Sequence, residues 1–210
     1  ISRKTGRHGL PLIGAGDWND GMNRVGEQGR GESVWLGFFL YDILKRFSRV
    51  CRQRGDQKRE KRYEAFADRL HRQLNDRGWD GEWYLRAFFD DGTPLGSKES
   101  EECQIDAISQ AWSVISGVAD QERTGKVLRA LEERLISVDD GIIKLLTPPF
   151  DRLERDPGYI RGYIPGVREN GGQYSHGALW VVRAFAEAGM GSRAVQYLNM
   201  INPVNHARTP

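Results

Sequence analysis

The chain has 210 residues, 39% hydrophobic and 29% charged, a balance that suits a folded globular unit and leaves no apolar run near the ~18 residues of a membrane span. Its 31 basic and 29 acidic side chains give a net charge of +2, which argues against the clustered basic face of a nucleic-acid binder. Cys51 and Cys103 are too few for a disulfide framework and too far apart for a CxxC metal site, so they read as reduced thiols of a cytosolic domain. No apolar core of ~7–15 residues follows Ile1, so that end does not read as a signal peptide. Six tryptophans and seven tyrosines suit either a buried core or flat rings that stack on sugars.

The first segment with a chemical signal is Gly14-Ala15-Gly16-Asp17-Trp18-Asn19-Asp20-Gly21-Met22-Asn23. Two carboxylates, an indole and two amides stand among glycines, where neither helix nor strand forms well. One reading is an Asx-rich turn whose Trp18 plugs a core. The other is a sugar-binding loop in which one carboxylate handles a proton.

Helices dominate the rest of the chain. Glu32-Ser33 offers a helix start, and Val34, Trp35, Phe38, Phe39, Leu40, Ile43, Leu44 and Phe47 recur at i, i+3, i+4 spacing up to about Arg54-Gly55. This helix is apolar around much of its circumference. A second amphipathic segment runs from roughly Lys58 to Asn75, a third from Ile105 to about Ile115, and a fourth from Gln121 to Ile136. The fifth covers His176 to Ala188 and the sixth Ser192 to Met200. Between them, Trp83–Phe89 and Ile142–Leu146 read as short strands ended by Asp90-Asp91-Gly92 and Thr147-Pro148-Pro149. Asp-Gly pairs at 20–21, 80–81 and 140–141 enclose one helical hairpin each time, which suggests a repeated connector-plus-hairpin unit. The expected fold is all-α with short strands in the connectors, an incomplete (α/α)6 barrel of about three helical hairpins. Residues 1–210 would then be a fragment of a single barrel domain, or would associate through bare inner helices.

Three constellations carry chemistry. Asp17 and Asp20 sit in the Gly-rich loop, where partial desolvation would let a carboxylate act as a general acid. Inverting hydrolysis needs a second carboxylate to activate water; phosphorolysis needs the acid and donors for phosphate. Tyr159 to His176 is rich in glycine and aromatics and opens a helix near Ser175, either as a simple N-cap or as an anion site with His176 in the first turn. Within it, Arg168 and Glu169 form a surface ion pair or meet sugar hydroxyls. Trp79–Arg86 with Asp90-Asp91-Gly92 suits a carbohydrate cleft or hydrophobic anchoring of a connector, and Asp106 and Gln110 are supporting groups. His71 and His206 have no metal spacing with any carboxylate, so no metal is assigned.

The stretches GDWNDGMNRVG and RENGGQYSHGALW resemble the inverting disaccharide phosphorylases, the family of cellobiose and chitobiose phosphorylases. HGLPLIGAGDWNDGMN, GRGESVWLGFFL, FDDGTPLGS, LLTPPFD, DPGYIRGYIPG and NPVNHART are closer still to the phosphorylase-like C-terminal domain of cyclic β-1,2-glucan synthases. The resemblance implies an (α/α)6 barrel in which Asp20 is the general acid and Trp18 lies in the sugar site. Asp17 would be structural or a hydroxyl acceptor. Tyr163, Arg168 and Glu169 would contact the sugar at or beside the scissile bond, although some relatives have lysine where Arg168 stands, and His176 would bind phosphate. The implied partners are a β-linked glucan oligosaccharide, inorganic phosphate as co-substrate with no cofactor, and the remainder of the parent polypeptide. The implied setting is the cytoplasm, as a soluble domain of a larger inner-membrane protein. The family's upstream arginine, downstream Thr-Gly corner and N-terminal β-sandwich are not found here, so the chain by itself is expected to be inactive. Two alternatives stand beside phosphorolysis: an inverting glucan hydrolase with Asp17 or Glu169 as base, and a carbohydrate-binding module without turnover.

Overall fold

A computed structural model describes residues 4–152 and 155–206; Ala207 to Thr209, the end of the NPVNHART stretch, lie outside the described residues. In chain order the elements are β1 (Glu32–Ser33), α1 (Val34–Gln53), α2 (Gln57–Arg77), β2 (Ala87–Phe88), β3 (Pro94–Leu95), β4 (Ile105–Asp106), α3 (Ala107–Ile115) and α4 (Gln121–Arg134). They continue with β5 (Ile136–Ser137), β6 (Ile142–Ile143), β7 (Leu146–Thr147), α5 (Ser175–Glu187), α6 (Gly191–Ile201) and α7 (Pro203–His206). Two 3-10 turns, Asp20–Met22 and Tyr159–Gly162, lie in the longest connectors.

The first four helices start where a short polar side chain can satisfy a free N–H. Ser33 accepts from Leu36 N, Asp56 from Arg59 N, Asp106 from Ile108 N and Asp120 from Arg123 N. The fifth is different. Tyr174, not Ser175, occupies the cap position of α5, and no side chain caps it. A serine one residue too late cannot reach back, so among the described residues no side chain caps the N–H groups at this end.

The helices pair as three hairpins, α1 with α2, α3 with α4 and α5 with α6, and α3 touches both α1 and α5. The hairpins meet again along their second helices. Arg123 of α4 donates to the Asn75 carbonyl of α2 at 3.0 Å, and Tyr197 of α6 donates to Glu132 of α4 at 2.5 Å. One core runs through all three, from Phe38 and Leu74 through Ile108, Trp112 and Leu131 to Val181, Phe185 and Tyr197. Each such buried side chain contributes roughly 1.5–3 kcal/mol. Ile43, Phe47 and Val50 of α1 and Leu179 of α5 remain exposed, so the apolar circumference read from the sequence is real but only partly covered. Among the described residues no helix is long and apolar enough to cross a membrane.

The connectors depart from the sequence reading. Trp83–Phe89 is not one strand: only Ala87–Phe88 pairs regularly, between β1 and β3, while Tyr84 bridges back to Trp79. Ile142–Leu146 likewise splits. Ile142–Ile143 pairs with β5, whereas Leu146–Thr147 pairs with β4. An apolar run shared between two partners cannot keep one register, so each ladder ends after two residues.

Two helical glycines test this packing in opposite directions. At Gly37 a Cβ would stand 2.9 Å from Leu74 Cδ2 at the α1–α2 contact, whereas at Gly125 nothing lies within 4 Å. Gly37→Val is therefore expected to lower stability by ~1–3 kcal/mol through overpacking. Gly125→Ala should raise it by ~0.5–1 kcal/mol. Urea unfolding of both variants against wild type checks the pair.

Candidate active site

The Gly-rich loop is a tight double turn. Gly16 takes φ +122°, and a Cβ there would stand 2.9 Å from Asp20 Cα, so only glycine permits the approach. Asp17 Oδ1 accepts from Asn19 N and Asn19 Oδ1 from Gly21 N, both at 3.0 Å, an Asx-turn pattern that launches the first 3-10 turn. Beneath it Ile13, Met22, Val25, Phe150 and Ile160 form a second small core.

Asp17 is the buried foot of this loop. Its side chain has no exposed surface, and Arg86, equally enclosed, donates to Oδ2 at 2.7 Å and Oδ1 at 2.5 Å. Ser33 Oγ donates to Asp17 at 2.5 Å while accepting from Leu36 N. On its other side the Arg86 Nε lies 3.3 Å from Asp106 Oδ2. Two carboxylates thus share one guanidinium out of reach of water. Burial pushes Asp17 up, but Arg86, Ser33 and the Asn19 N–H outweigh it and hold the carboxyl below its ordinary value. Asp106 has the longer contact with Arg86, and burial raises it to about 6. Of the two roles open to Asp17, hydroxyl acceptor or structural group, the geometry leaves the second. The same enclosure removes Asp17 as the base of a hydrolase. The sequence places Arg86 only within a cleft-like segment, although a charge inside the apolar run Trp83–Phe89 was the available signal.

The other expected groups form two contact sets, one around Trp18 and one around Asp20 and Tyr159. Trp18 Nε1 donates to His176 Nδ1 at 3.0 Å across 158 residues of sequence, so the two signature stretches meet. Trp18 packs against Tyr174 at 5.3 Å and Trp180 at 5.6 Å between ring centroids. His176 stands in the first turn of α5, at the uncapped end where free N–H groups and the helix dipole favour an anion. Asp20 is exposed at the start of its 3-10 turn. Its nearby carboxylate pushes the Tyr159 phenol up to about 12. Tyr159 meets Tyr163 edge-on at 6.3 Å, the Arg168 guanidinium lies 4.6 Å over the Tyr163 ring, and Arg168 Nε is 3.4 Å from Glu169 Oε2. Arg168 holds φ +52°, an uncommon conformation for a side chain of this size. Glu169 is mostly buried, and among the described residues Oε2 has no hydrogen-bond partner.

Two residues overlooked in the sequence hold these parts together. Gly158, at φ +124°, lets the second 3-10 turn dock on the first, because a Cβ there would overlap Asn23 and the Gly21 carbonyl. Asn170, fully buried, donates to the Phe150 and Tyr163 carbonyls at 2.8 Å and accepts from Phe150 N at 2.7 Å. An open cavity of about 340 Å³ lies elsewhere, lined by Phe89, Leu95, Phe150 and Arg155, and none of the expected site residues borders it. Among the described residues no group of His, Cys, Asp and Glu has the make-up to hold a metal ion.

The description of the glycosyl hydrolase 94 superfamily, catalytic domain, matches residues 1–209. The chain is 50% identical over 204 residues to the cyclic beta-(1,2)-glucan synthase NdvB of Rhizobium meliloti (strain 1021), covering 97% of this chain and 7% of that protein. It is 37% identical over 199 residues to solabiose phosphorylase of Paenibacillus borealis, covering 94% of this chain and 26% of the relative. Identity is also 37%, over 211 residues, to 3-O-beta-D-glucopyranosyl-beta-D-glucuronide phosphorylase of the same organism, at 100% and 27% coverage. The chain therefore spans about a quarter or less of the curated relatives it matches.

The buried carboxylate pair sets a pH dependence. Folded Asp106 keeps its proton to about 6, against 3.8 when unfolded, so the folded state binds more protons between these values and stability falls as pH rises through them. At ~1.4 kcal/mol per pH unit the loss totals about 3 kcal/mol. Asp17 acts the other way, losing its contribution as pH falls below 3.8. Asp106→Asn keeps an oxygen for the helix cap and removes the titration. Its urea midpoint is expected to lack the decline that wild type shows from about pH 4 to about pH 6, and parallel curves would refute the assignment.

Proposed function

The chain belongs to the catalytic domain of the glycosyl hydrolase 94 superfamily, and from that membership we propose that it carries the acid and part of the phosphate site of an inverting glucan phosphorylase. Asp20 gives its proton to the glycosidic oxygen as the C–O bond breaks, and a phosphate oxygen bonds to the anomeric carbon from the opposite face. A β-linked glucan yields α-glucose 1-phosphate and a shortened chain, and the reverse reaction extends the glucan. Trp18, Tyr163, Arg168 and Glu169 hold the sugar, while His176 and the free N–H groups of α5 receive the phosphate.

The observation that carries this reading is the Trp18–His176 hydrogen bond, because it joins the loop that bears a single exposed acid to an uncapped helix end suited to an anion. A water-activating base would be expected opposite the acid in a hydrolase. Asp17, one of the two carboxylates considered for that task, is sealed by Arg86. Three hairpins, with α1, α3 and α5 in successive contact, are what half of an (α/α)6 barrel would contribute. That supports a partial catalytic domain of a longer polypeptide, in which the glucan chain length is trimmed or extended before ring closure. We further propose that this chain alone is inactive and that, on its likeness to the glucan synthase, it serves as a soluble cytoplasmic part of a larger inner-membrane protein.

The test uses a form of the chain extended at both ends, assayed for phosphate-dependent release of glucose 1-phosphate from β-linked glucans. Asp20→Asn is expected to lower turnover by ~10²–10⁴-fold, and His176→Ala to raise the KM for phosphate. Unchanged activity in Asp20→Asn would remove Asp20 from its role. Hydrolysis without phosphate would transfer the reaction to a hydrolase with Glu169 as base, and glucan binding without any product would mark a binding module.

A further inference from the structure

We propose that Trp18 is a positioning residue for His176: its indole fixes the imidazole in the Nε2–H form and turns that N–H toward the incoming anion. The anion part of this proposal rests on the phosphate reading above, while the tautomer part rests on geometry alone. An indole N–H can only donate. At 3.0 Å from His176 Nδ1 it requires a lone pair there, so the neutral ring carries its proton on Nε2. The opposite tautomer would set two N–H groups against each other.

The indole is itself held. Tyr174, the residue before α5 begins, meets it edge-on with an interplanar angle of 87°. Trp180 lies four residues beyond His176 on the same helix, 4.2 Å from the imidazole and 5.6 Å from the indole. Both partners of the bond are therefore gripped by one helix end, and the ring is restricted in orientation as well as in proton position. That end lacks a side-chain cap, so its free N–H groups and the Nε2–H present donors of the same sense to one ligand. Trp18 belongs to the acid loop, directly after the Asp17 that Arg86 anchors and shortly before Asp20. The group that a sugar face would touch thus also sets the donor offered to phosphate.

Nitrogen-15 spectra of the histidine rings, recorded at about pH 8 where an ordinary imidazole is neutral, test the proposal on the protein in the extended form used for the assay. His176→Ala assigns the signals. In wild type the His176 pattern should be that of the pure Nε2–H tautomer, a readout that needs no altered protein. Trp18→Phe keeps a flat ring but loses the donor; it should give a mixed tautomer and weaken inorganic phosphate binding, followed by the same signals, about fivefold. A wild-type Nδ1–H pattern, or a Trp18→Phe protein with both tautomer and phosphate affinity unchanged, would overturn the proposal. Nε2–H signals that do not move with phosphate would overturn the anion part and the phosphate reading, and would support positioning of the ring alone.

Discussion

One guanidinium holds the site in place. Arg86 lies between Asp17 and Asp106 with no exposed surface, and taking such charges out of water costs several kcal/mol per ion unless each finds partners. The partners come from distant parts of the chain. Asp17 brings the acid loop, Ser33 brings the cap of α1 through a hydroxyl that both donates and accepts, and Asp106 brings the cap of α3. Arg86 also receives its backbone contacts here, donating its N–H to the Leu95 carbonyl and accepting from Val34 N. The loop cannot shift without unpairing a buried charge, so its position is fixed to two helix ends at once. The cost of burial falls unevenly, with Asp17 fully paired and Asp106 left with an Oδ2 that lacks a well-formed hydrogen bond.

Aromatic packing carries that fixed point across the hairpins. Trp35 of α1, Trp112 of α3 and Trp180 of α5 are in mutual contact, with centroids 5.4 to 6.2 Å apart. Edge-on and offset arrangements at these separations add ~0.5–1.5 kcal/mol each beyond burial. Trp18 closes the row through Trp180. The same side chains that pack the first helix of each hairpin against the next therefore form the floor on which the acid loop meets the α5 end.

What the sequence disclosed reflects the range of the forces involved. Helices were legible because a 3.6-residue apolar stripe and a capping side chain are local signals, and α1 to α4 start within two residues of where those signals place them. The connectors were not, because their two-residue ladders are set by partners far along the chain, and the apolar run 142–146 does not say that it serves two of them. The Asp-Gly spacing illustrates the same limit. Each interval does contain one hairpin, yet the three pairs have no common geometry: Gly81 and Gly141 take φ +99° and +68°, whereas Gly21 stays within a 3-10 turn. Asp20, Trp18 and His176 were candidates by motif. Arg86 and Asn170 were not, since a buried polar residue declares its role only through the atoms around it.

Asp17 and Asp20 show how one short loop gives two carboxylates opposite surroundings. They are three residues apart and of the same type, but the turn between them sends one down onto Arg86 and leaves the other exposed beside Tyr159. A carboxylate held ionised by two guanidinium hydrogen bonds has no proton to give and no free oxygen with which to take one. The carboxylate at the surface keeps its oxygens open to a ligand. A reaction that required two working carboxylates would make poor use of this arrangement, since the loop commits one of its pair to structure. A reaction in which the nucleophile arrives already anionic needs a single acid, and the second carboxylate is then free to serve as the strut that aims the first.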